Sequence, residues 1–334
     1  MSTKRLCSTM ERELALEFVR VTEAAAIASA RWLGRGDKNN ADGAAVGAMR
    51  SMFDTVNVDG IVVIGEGEKD EAPMLYVGEK VGTGKCSKVD IAVDPLEGTD
   101  LVAKGLNGAI AVLAVAPRKC LLHAPDMYYM NKIAVGQAAV GKISLDASIT
   151  ENVTAVAKSL NKEVQDVTVV VLDRSRNEYI INELRSIGAR IRLITAGDVS
   201  PAVAVAIPGS GVDMVMGIGG APEGVLGAAA LRCLGGELQG RLWDGGTIKS
   251  KRVHKSGVTD TKRILTMDDL VSSDDVIFAA TGITDGDTLK GVRYYGNYVT
   301  THSIVMRAAS GTVRFLEAQH RIDKKSGYVN GREY

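Results

Sequence analysis

Aromatic side chains make up only 4% of this sequence, and histidine occurs four times in 334 residues. A zinc site built on imidazoles has little to draw on, and the core must be filled by aliphatic side chains. Net charge is also absent: Lys plus Arg and Asp plus Glu both number 40. A neutral chain has no bulk electrostatic reason to bind nucleic acid or an anionic membrane. The longest apolar run, Ala109 to Ala116, falls far short of a membrane span. Lys4 and Arg5 are followed by Glu11 and Glu13 with no apolar stretch between them, so no secretory leader is expected and the protein is read as cytoplasmic. The cysteines, Cys7, Cys86, Cys120 and Cys233, form no C-x-x-C pair. That spacing suits a reducing compartment and leaves open a regulatory thiol pair involving Cys86 or Cys120. No internal repeat or low-complexity segment breaks the chain.

What is present is apolar and glycine-rich: 46% hydrophobic residues and 37 glycines, enough for a sizeable core with many tight turns. The length suits two domains or one large one. A composition shift between Ser144 and Thr150 places an expected boundary at 148/149, with an N-terminal metal-binding half (1–148) and a C-terminal α/β half (149–334). Helices are expected over Glu11–Leu33 and from about Ala41, where Asp42 falls in the first turn and the helix dipole favours a carboxylate. Ile61–Ile64 reads as a buried strand, as do Ala109–Ala116 and residues 131–135. From Val167 onward strands and helices alternate in the βαβ manner: strands Val167–Leu172, Arg190–Ile194 and Val212–Met216, with helices after Glu178, Asp198 and Pro222. Short strands follow at Val276–Ala280, Tyr298–Met306 and Thr312–Leu316.

The chemistry concentrates at strand ends. Val89–Val93 is an apolar, β-prone run that meets Asp94-Pro95-Leu96-Glu97-Gly98-Thr99. Pro95 cannot donate to a ladder, so the strand is expected to stop near Asp94, leaving two carboxylates and the Thr99 hydroxyl on one turn. Either this is an ordinary solvated turn, or the acids gather a hard divalent cation that removes their mutual repulsion. A second buried strand ends on Gly65-Glu66-Gly67-Glu68-Lys69-Asp70-Glu71, so two strand ends deliver acids where α/β sheets carry their sites. Arg174 and Arg176 flank Ser175 at a strand-to-helix turn; they read either as a phosphate clamp or as a solvated basic loop. Tyr128, in a loop beside Tyr129, reads as a ligand contact or a packed core tyrosine.

The familiar nucleotide motifs fail. The glycines at 217 and 219 need a third at 222, which is Pro222, and those at 65 and 67 need one at 70, which is Asp70. Gly84-Lys85 is followed by Cys86 and Gly141-Lys142 by Ile143, so there is no P-loop. An oxygen-ligand metal site with arginines nearby survives, and that combination suits phosphoryl transfer to water.

Asp94-Pro95-Leu96-Glu97-Gly98-Thr99 resembles the D-P-x-D-G-T signature of the lithium-sensitive phosphatases, with Glu97 in place of the second Asp. Together with Gly65–Met74 and Gly217–Gly224, it is similar to class II fructose-1,6-bisphosphatases over nearly the whole chain, most of all to the cyanobacterial bifunctional fructose-1,6-bisphosphatase/sedoheptulose-1,7-bisphosphatase type. The resemblance implies an α/β fold, a layered α-β-α-β-α sandwich, and an AMP-inhibited homotetramer acting on sugar bisphosphates with Mg²⁺ or Mn²⁺. It implies metal ligands at Asp42, Glu66, Asp94, Glu97 and Glu223. It implies substrate contacts from Glu97, Gly98, Thr99, Tyr128, Arg174, Ser175, Arg176, Ala196, Gly197, Asp198 and Gly220. Lys38 and Asp70 match positions important in the family, and Thr99, oriented by Asp42, is the expected group that positions the attacking water. Two other functions stay open: an inositol-monophosphatase-like hydrolase of single-phosphate esters, against which the arginine pair argues, and a nucleotide-sensing protein that kept the fold, against which the set of acids argues.

Overall fold

The computed structural model describes Met10 and residues 13–67, 74–123, 129–243 and 262–324. It is an α/β protein with two sheets, and the chain divides into two compact units, Met1–Leu121 with Ser273–Tyr334, and Leu122–Ser272. The expected division at 148/149 falls inside the second unit. The chain leaves the first unit at Leu121 and returns at Ser273, because its last strands complete the first sheet. No helix among the described residues is long and apolar enough to cross a membrane.

The first unit is an eight-stranded sheet. It is built from β1 (Asp59–Ile64), β2 (Lys80–Val81), β3 (Lys88–Glu97), β4 (Ile110–Pro117), β10 (Ile277–Gly282), β11 (Arg293–Tyr295), β12 (Tyr298–Arg307) and β13 (Thr312–Arg321). The order is β11-β12-β10-β4-β3-β1-β2, with β13 also paired to β12. Among the described residues, only β1 and β3 run parallel; every other pair is antiparallel. β4 and β10 are buried along nearly their whole length, which is why they read as unbroken apolar runs rather than alternating ones. Helix α1 (Leu14–Ala30) packs on β3, β4, β10 and β12, and α2 (Lys38–Phe53) packs on α1 and β3. The alanine-rich stretch of α1, with Ala24, Ala25 and Ala26 buried against a sheet that contributes Ala111, Ala114 and Ala116, fills the core without aromatic bulk.

Two boundaries near the predicted acids differ from expectation, each for a local reason. Helix α2 begins at Lys38, because the Asp37 carboxylate accepts the Asn40 N–H at 3.0 Å and caps it. Asp42 therefore sits in the second turn, beyond the reach of a simple helix-start role. Strand β3 runs on to Glu97 through Pro95. Its register to β4 shifts between Asp94, opposite Val112, and Glu97, opposite Ile110. The extra residue makes a bulge, where a proline without an N–H costs no ladder bond.

The second unit holds β5 (Tyr129–Val135), β6 (Thr168–Leu172), β7 (Arg190–Ile194), β8 (Met214–Gly220) and β9 (Glu237–Trp243), in the order β7-β6-β8-β5-β9. β7, β6 and β8 are parallel neighbours; β5 is antiparallel to both β8 and β9. Helices α4 (Ile149–Leu160) and α5 (Glu178–Ser186) cover one face: Val153, Val156, Ile180 and Leu184 pack with Val169, Val171, Ile133 and Met216. Helix α6 (Val199–Ala204) packs on α7 (Ala221–Leu234), which contacts β5, β8 and β9. The short helices α3 (Thr99–Lys104) and α8 (Met267–Leu270) complete the set. β8 outruns its expected end at Met216 because glycine lets polar side chains lie against the strand. A Cβ on Gly217 would meet the Asn177 side chain at 3.1 Å, and one on Gly219 would meet Lys132 Cε at 3.0 Å.

The returning strand β10 should carry much of the first unit's stability. Phe278, fully buried, should cost about 3–5 kcal/mol when cut to Ala. Phe315, on β13 and 47% exposed, should cost less than about 1 kcal/mol. Denaturant midpoints of the two variants test this; similar losses would contradict the placement of the core.

Candidate metal and phosphate site

In the first unit, four of the sequence-predicted acids come from three elements. Asp42 projects from α2, Glu66 lies two residues past the end of β1, and Asp94 and Glu97 flank the β3 bulge. Asp94 and Glu97 present carboxylate oxygens within 4.8 Å of one another. Asp94 Oδ1 accepts the Leu96 N–H at 3.1 Å, which turns the carboxylate along the bulge, and Glu97 is 95% buried (5% exposed). Burial pushes the Glu66 carboxyl up to about 7, and the Asp42 charge beside it adds to the shift. Burial also raises Asp42. Neither Asp42 nor Glu66 has a basic partner among the described residues. Acids that are dehydrated and press on each other are unstable as bare anions. A hard divalent cation with oxygen ligands fits this donor set.

The bulge then opens into α3. Gly98 adopts φ +91°, a left-handed conformation that favours glycine, and lets Thr99 start the helix. The Thr99 hydroxyl donates to the Leu96 carbonyl at 3.2 Å, so its oxygen keeps lone pairs to accept from a water. Lys38, at the start of α2, forms an ion pair with Asp100 on α3, so it ties together the helices that carry Asp42 and Thr99. Asp70 lies outside the described residues.

In the second unit, the parallel strands β6, β7 and β8 release their C-terminal ends on one sheet edge, and all but one of the predicted substrate contacts lying in this unit are there. Arg174-Ser175-Arg176 follows β6, Ala196-Gly197-Asp198 follows β7, and Gly220 ends β8. The exception is Tyr128, which lies outside the described residues. Bonds lace the three turns together. Arg174 Nη2 donates to the Thr195 carbonyl at 2.6 Å, and Arg176 Nε donates to the Ile218 carbonyl at 3.0 Å. The third lace, Lys132 on β5, was not anticipated. Its ammonium is buried, donates to the Gly220 carbonyl at 2.9 Å and pairs with Asp198 Oδ2 at 2.8 Å. Lys132 directly precedes the apolar run Ile133-Ala134-Val135 within the expected strand 131–135, and that was the available signal, since buried lysines are rare unless paired.

Glu223 lies in the first turn of α7. Its carboxylate folds back over Gly220, where any Cβ would collide with it. Its Oε2 is buried without a hydrogen-bond partner among the described residues. Burial first, and then the Asp198 charge, raise its pKa against the opposing pull of Lys132. An orphaned, dehydrated carboxylate oxygen is a second feature that a cation would satisfy. The local residue pattern alone does not single it out, because an acid after Pro222 is ordinary for the start of a helix; only the family resemblance pointed to it.

Comparison with known proteins agrees with this chemistry. The family profile described as bacterial fructose-1,6-bisphosphatase, glpX-encoded, matches residues 12–320. Over 328 residues the chain is 48% identical to fructose-1,6-bisphosphatase 1 class 2 of Escherichia coli strain K12, covering 95% of this chain and 97% of the relative. The class 2 fructose-1,6-bisphosphatases of Escherichia coli O6:H1 and Shigella flexneri match with the same identity and coverage.

The raised Glu66 carboxyl gives a pH dependence with a definite sign. In the unfolded chain the group ionises near 4.3, whereas in the folded protein it holds its proton up to about 7. Between those values the unfolded state sheds a proton that the native state keeps, so the metal-free protein loses stability as pH rises through that window. A cation that binds the ionised form removes the penalty. The rise in Tm on adding Mg²⁺ or Mn²⁺ should therefore be larger at pH 8 than at pH 6, and a larger rise at pH 6 would contradict this assignment.

Proposed function

Because this chain belongs to the bacterial, glpX-encoded family of fructose-1,6-bisphosphatases, we propose that it hydrolyses the 1-phosphate of fructose 1,6-bisphosphate at a divalent-cation site held by Asp42, Glu66, Asp94, Glu97 and Glu223. The observation that carries this is the pair of carboxylates at the β3 bulge, Asp94 and Glu97, within 4.8 Å of one another, on a motif of a family matched over residues 12–320. Bound Mg²⁺ or Mn²⁺ supplies charge neutralisation at the phosphoryl oxygens and acidifies a water.

The residues of this chain do the rest. Thr99, with its proton committed to the Leu96 carbonyl, accepts from the attacking water and orients it, while Asp42 on the adjoining α2 serves as a ligand of the cation. Lys38, paired with Asp100, holds the start of α2 against α3 and keeps the two groups in register. Arg174 and Arg176, with Ser175, grip the distal phosphate, assisted by Tyr128 and by the Ala196-Gly197-Asp198 and Gly220 backbone. Binding energy gathered there is remote from the scissile bond and positions the reacting end. A monophosphate has no use for that second clamp, which favours a bisphosphate substrate.

Sedoheptulose 1,7-bisphosphate presents the same reacting phosphate, so the proposal extends to it. The resemblance to the bifunctional cyanobacterial type supports roles in the Calvin cycle and gluconeogenesis, a homotetramer and inhibition by AMP. Phosphate release from both sugar bisphosphates, with each metal and with AMP added, tests these extensions together.

Glu97→Ala should lower kcat by about a hundredfold or more while circular dichroism stays that of the parent; a folded, fully active variant removes Glu97 from the chemistry. Arg176→Ala should raise KM for fructose 1,6-bisphosphate far more than for p-nitrophenyl phosphate, and equal effects on both would take Arg176 out of the distal clamp.

A further inference from the structure

Arg176 is held in a way that the clamp alone does not require. Its Nε is committed to the Ile218 carbonyl at 3.0 Å, and its Cζ lies 4.6 Å from the centre of the Tyr129 ring. Nη1 and Nη2 make no bond among the described residues. One edge of the guanidinium is therefore anchored to β8 and one face is covered, while the fork that suits a phosphate stays open.

Tyr129 is itself placed with care. It opens β5, directly opposite Gly220 on β8 and Trp243 on β9. Gly220 offers no side chain to compete for the ring face. Trp243 meets the Tyr129 ring edge-on, with centroids 5.9 Å apart and planes at 81°, an arrangement that aromatic pairs favour. Yet Tyr129 remains 40% exposed, so core packing does not account for it. An arginine side chain has many rotamers to lose on binding. A fixed aromatic face under the guanidinium settles part of that freedom before the ligand arrives.

We infer that Tyr129, braced by Trp243, is a positioning residue for Arg176, presenting its guanidinium fork to the phosphate group farthest from the scissile bond and so contributing to selection of bisphosphates over monophosphates. This rests on the distal-clamp reading above. The ring acts through Arg176, so its effect appears in binding of the second phosphate and not in the chemical step.

Steady-state kinetics of the full-length protein with fructose 1,6-bisphosphate and with p-nitrophenyl phosphate test it, using wild type, Tyr129→Phe, Tyr129→Ala, Arg176→Ala and the double variant Tyr129→Ala/Arg176→Ala. Tyr129→Ala should raise KM for the bisphosphate about three- to fivefold, leave kcat nearly constant and leave the monophosphate KM unmoved. Tyr129→Phe, which keeps the ring face, should match wild type. The double variant should be no worse than Arg176→Ala, because the ring has nothing left to position. If Arg176→Ala fails to discriminate between the substrates, the clamp reading falls and this inference falls with it. If Arg176→Ala discriminates but Tyr129→Ala does not, the clamp stands and the positioning role of Tyr129 is overturned. Additive losses in the double variant, or a Tyr129→Phe as impaired as Tyr129→Ala, overturn it as well.

Discussion

Two carboxylates removed from water with no cationic partner among the described residues, Asp42 and Glu66, set the central physical constraint on this protein. Burial alone raises Asp42, and burial together with the Asp42 charge carries Glu66 to about 7. A fold that needed only stability would replace such groups with apolar side chains or pair them, as it pairs Asp90 with Arg118 and caps it with the Cys120 N–H. Asp42 and Glu66, which have no basic partner among the described residues, are held by elements that are otherwise well packed: the second turn of α2 and the end of β1. The surrounding alanine-rich core is close-packed around groups that repel one another, and the proposed divalent cation would turn that repulsion into coordination.

The second unit gathers positive charge at the C-terminal ends of its parallel strands, where the proposed phosphate clamp lies. Parallel strands bring three turns to one edge, and three cationic side chains stitch them through backbone carbonyls: Arg174 to Thr195, Arg176 to Ile218, and Lys132 to Gly220. Each uses part of its donor set on the protein itself. The glycines of β8 are what make room for this lacing, since side chains at Gly219 and Gly220 would displace Asp198 and Glu223. Composition and mechanism thus meet in the same residues: the abundance of glycine noted in the sequence is, along this strand, space reserved for charged groups.

Much of this was legible in the sequence. Asp94, Glu97 and Thr99 announce themselves because an apolar run meets proline and glycine at once, and Glu66 because glycines flank it just past a buried strand. The βαβ alternation after Val167 and the basic turn at Arg174 were equally plain. What stayed hidden depended on contacts between residues distant in sequence. Pro95 reads as a strand end, whereas pairing with β4 carries β3 through it as a bulge. Asp42 reads as a first-turn acid until the Asp37 cap moves the helix start. Glu223 looks like any acid following a proline at a helix start, and Lys132 looks misplaced until Asp198 is found against it. The return of the chain to the first sheet at β10 is a long-range pairing, which no local composition shift can reveal.

The central claim is that the dehydrated acids of the first unit exist to hold divalent cations. Direct counting of Mn²⁺ by electron paramagnetic resonance at pH 8 tests it, comparing the wild type with Asp42→Asn and Glu66→Gln. The account predicts stoichiometric binding by the wild type, weakened by about tenfold or more in either variant with secondary structure intact. Wild-type protein that leaves Mn²⁺ free in solution, or variants that bind it as tightly as the parent, would contradict the account.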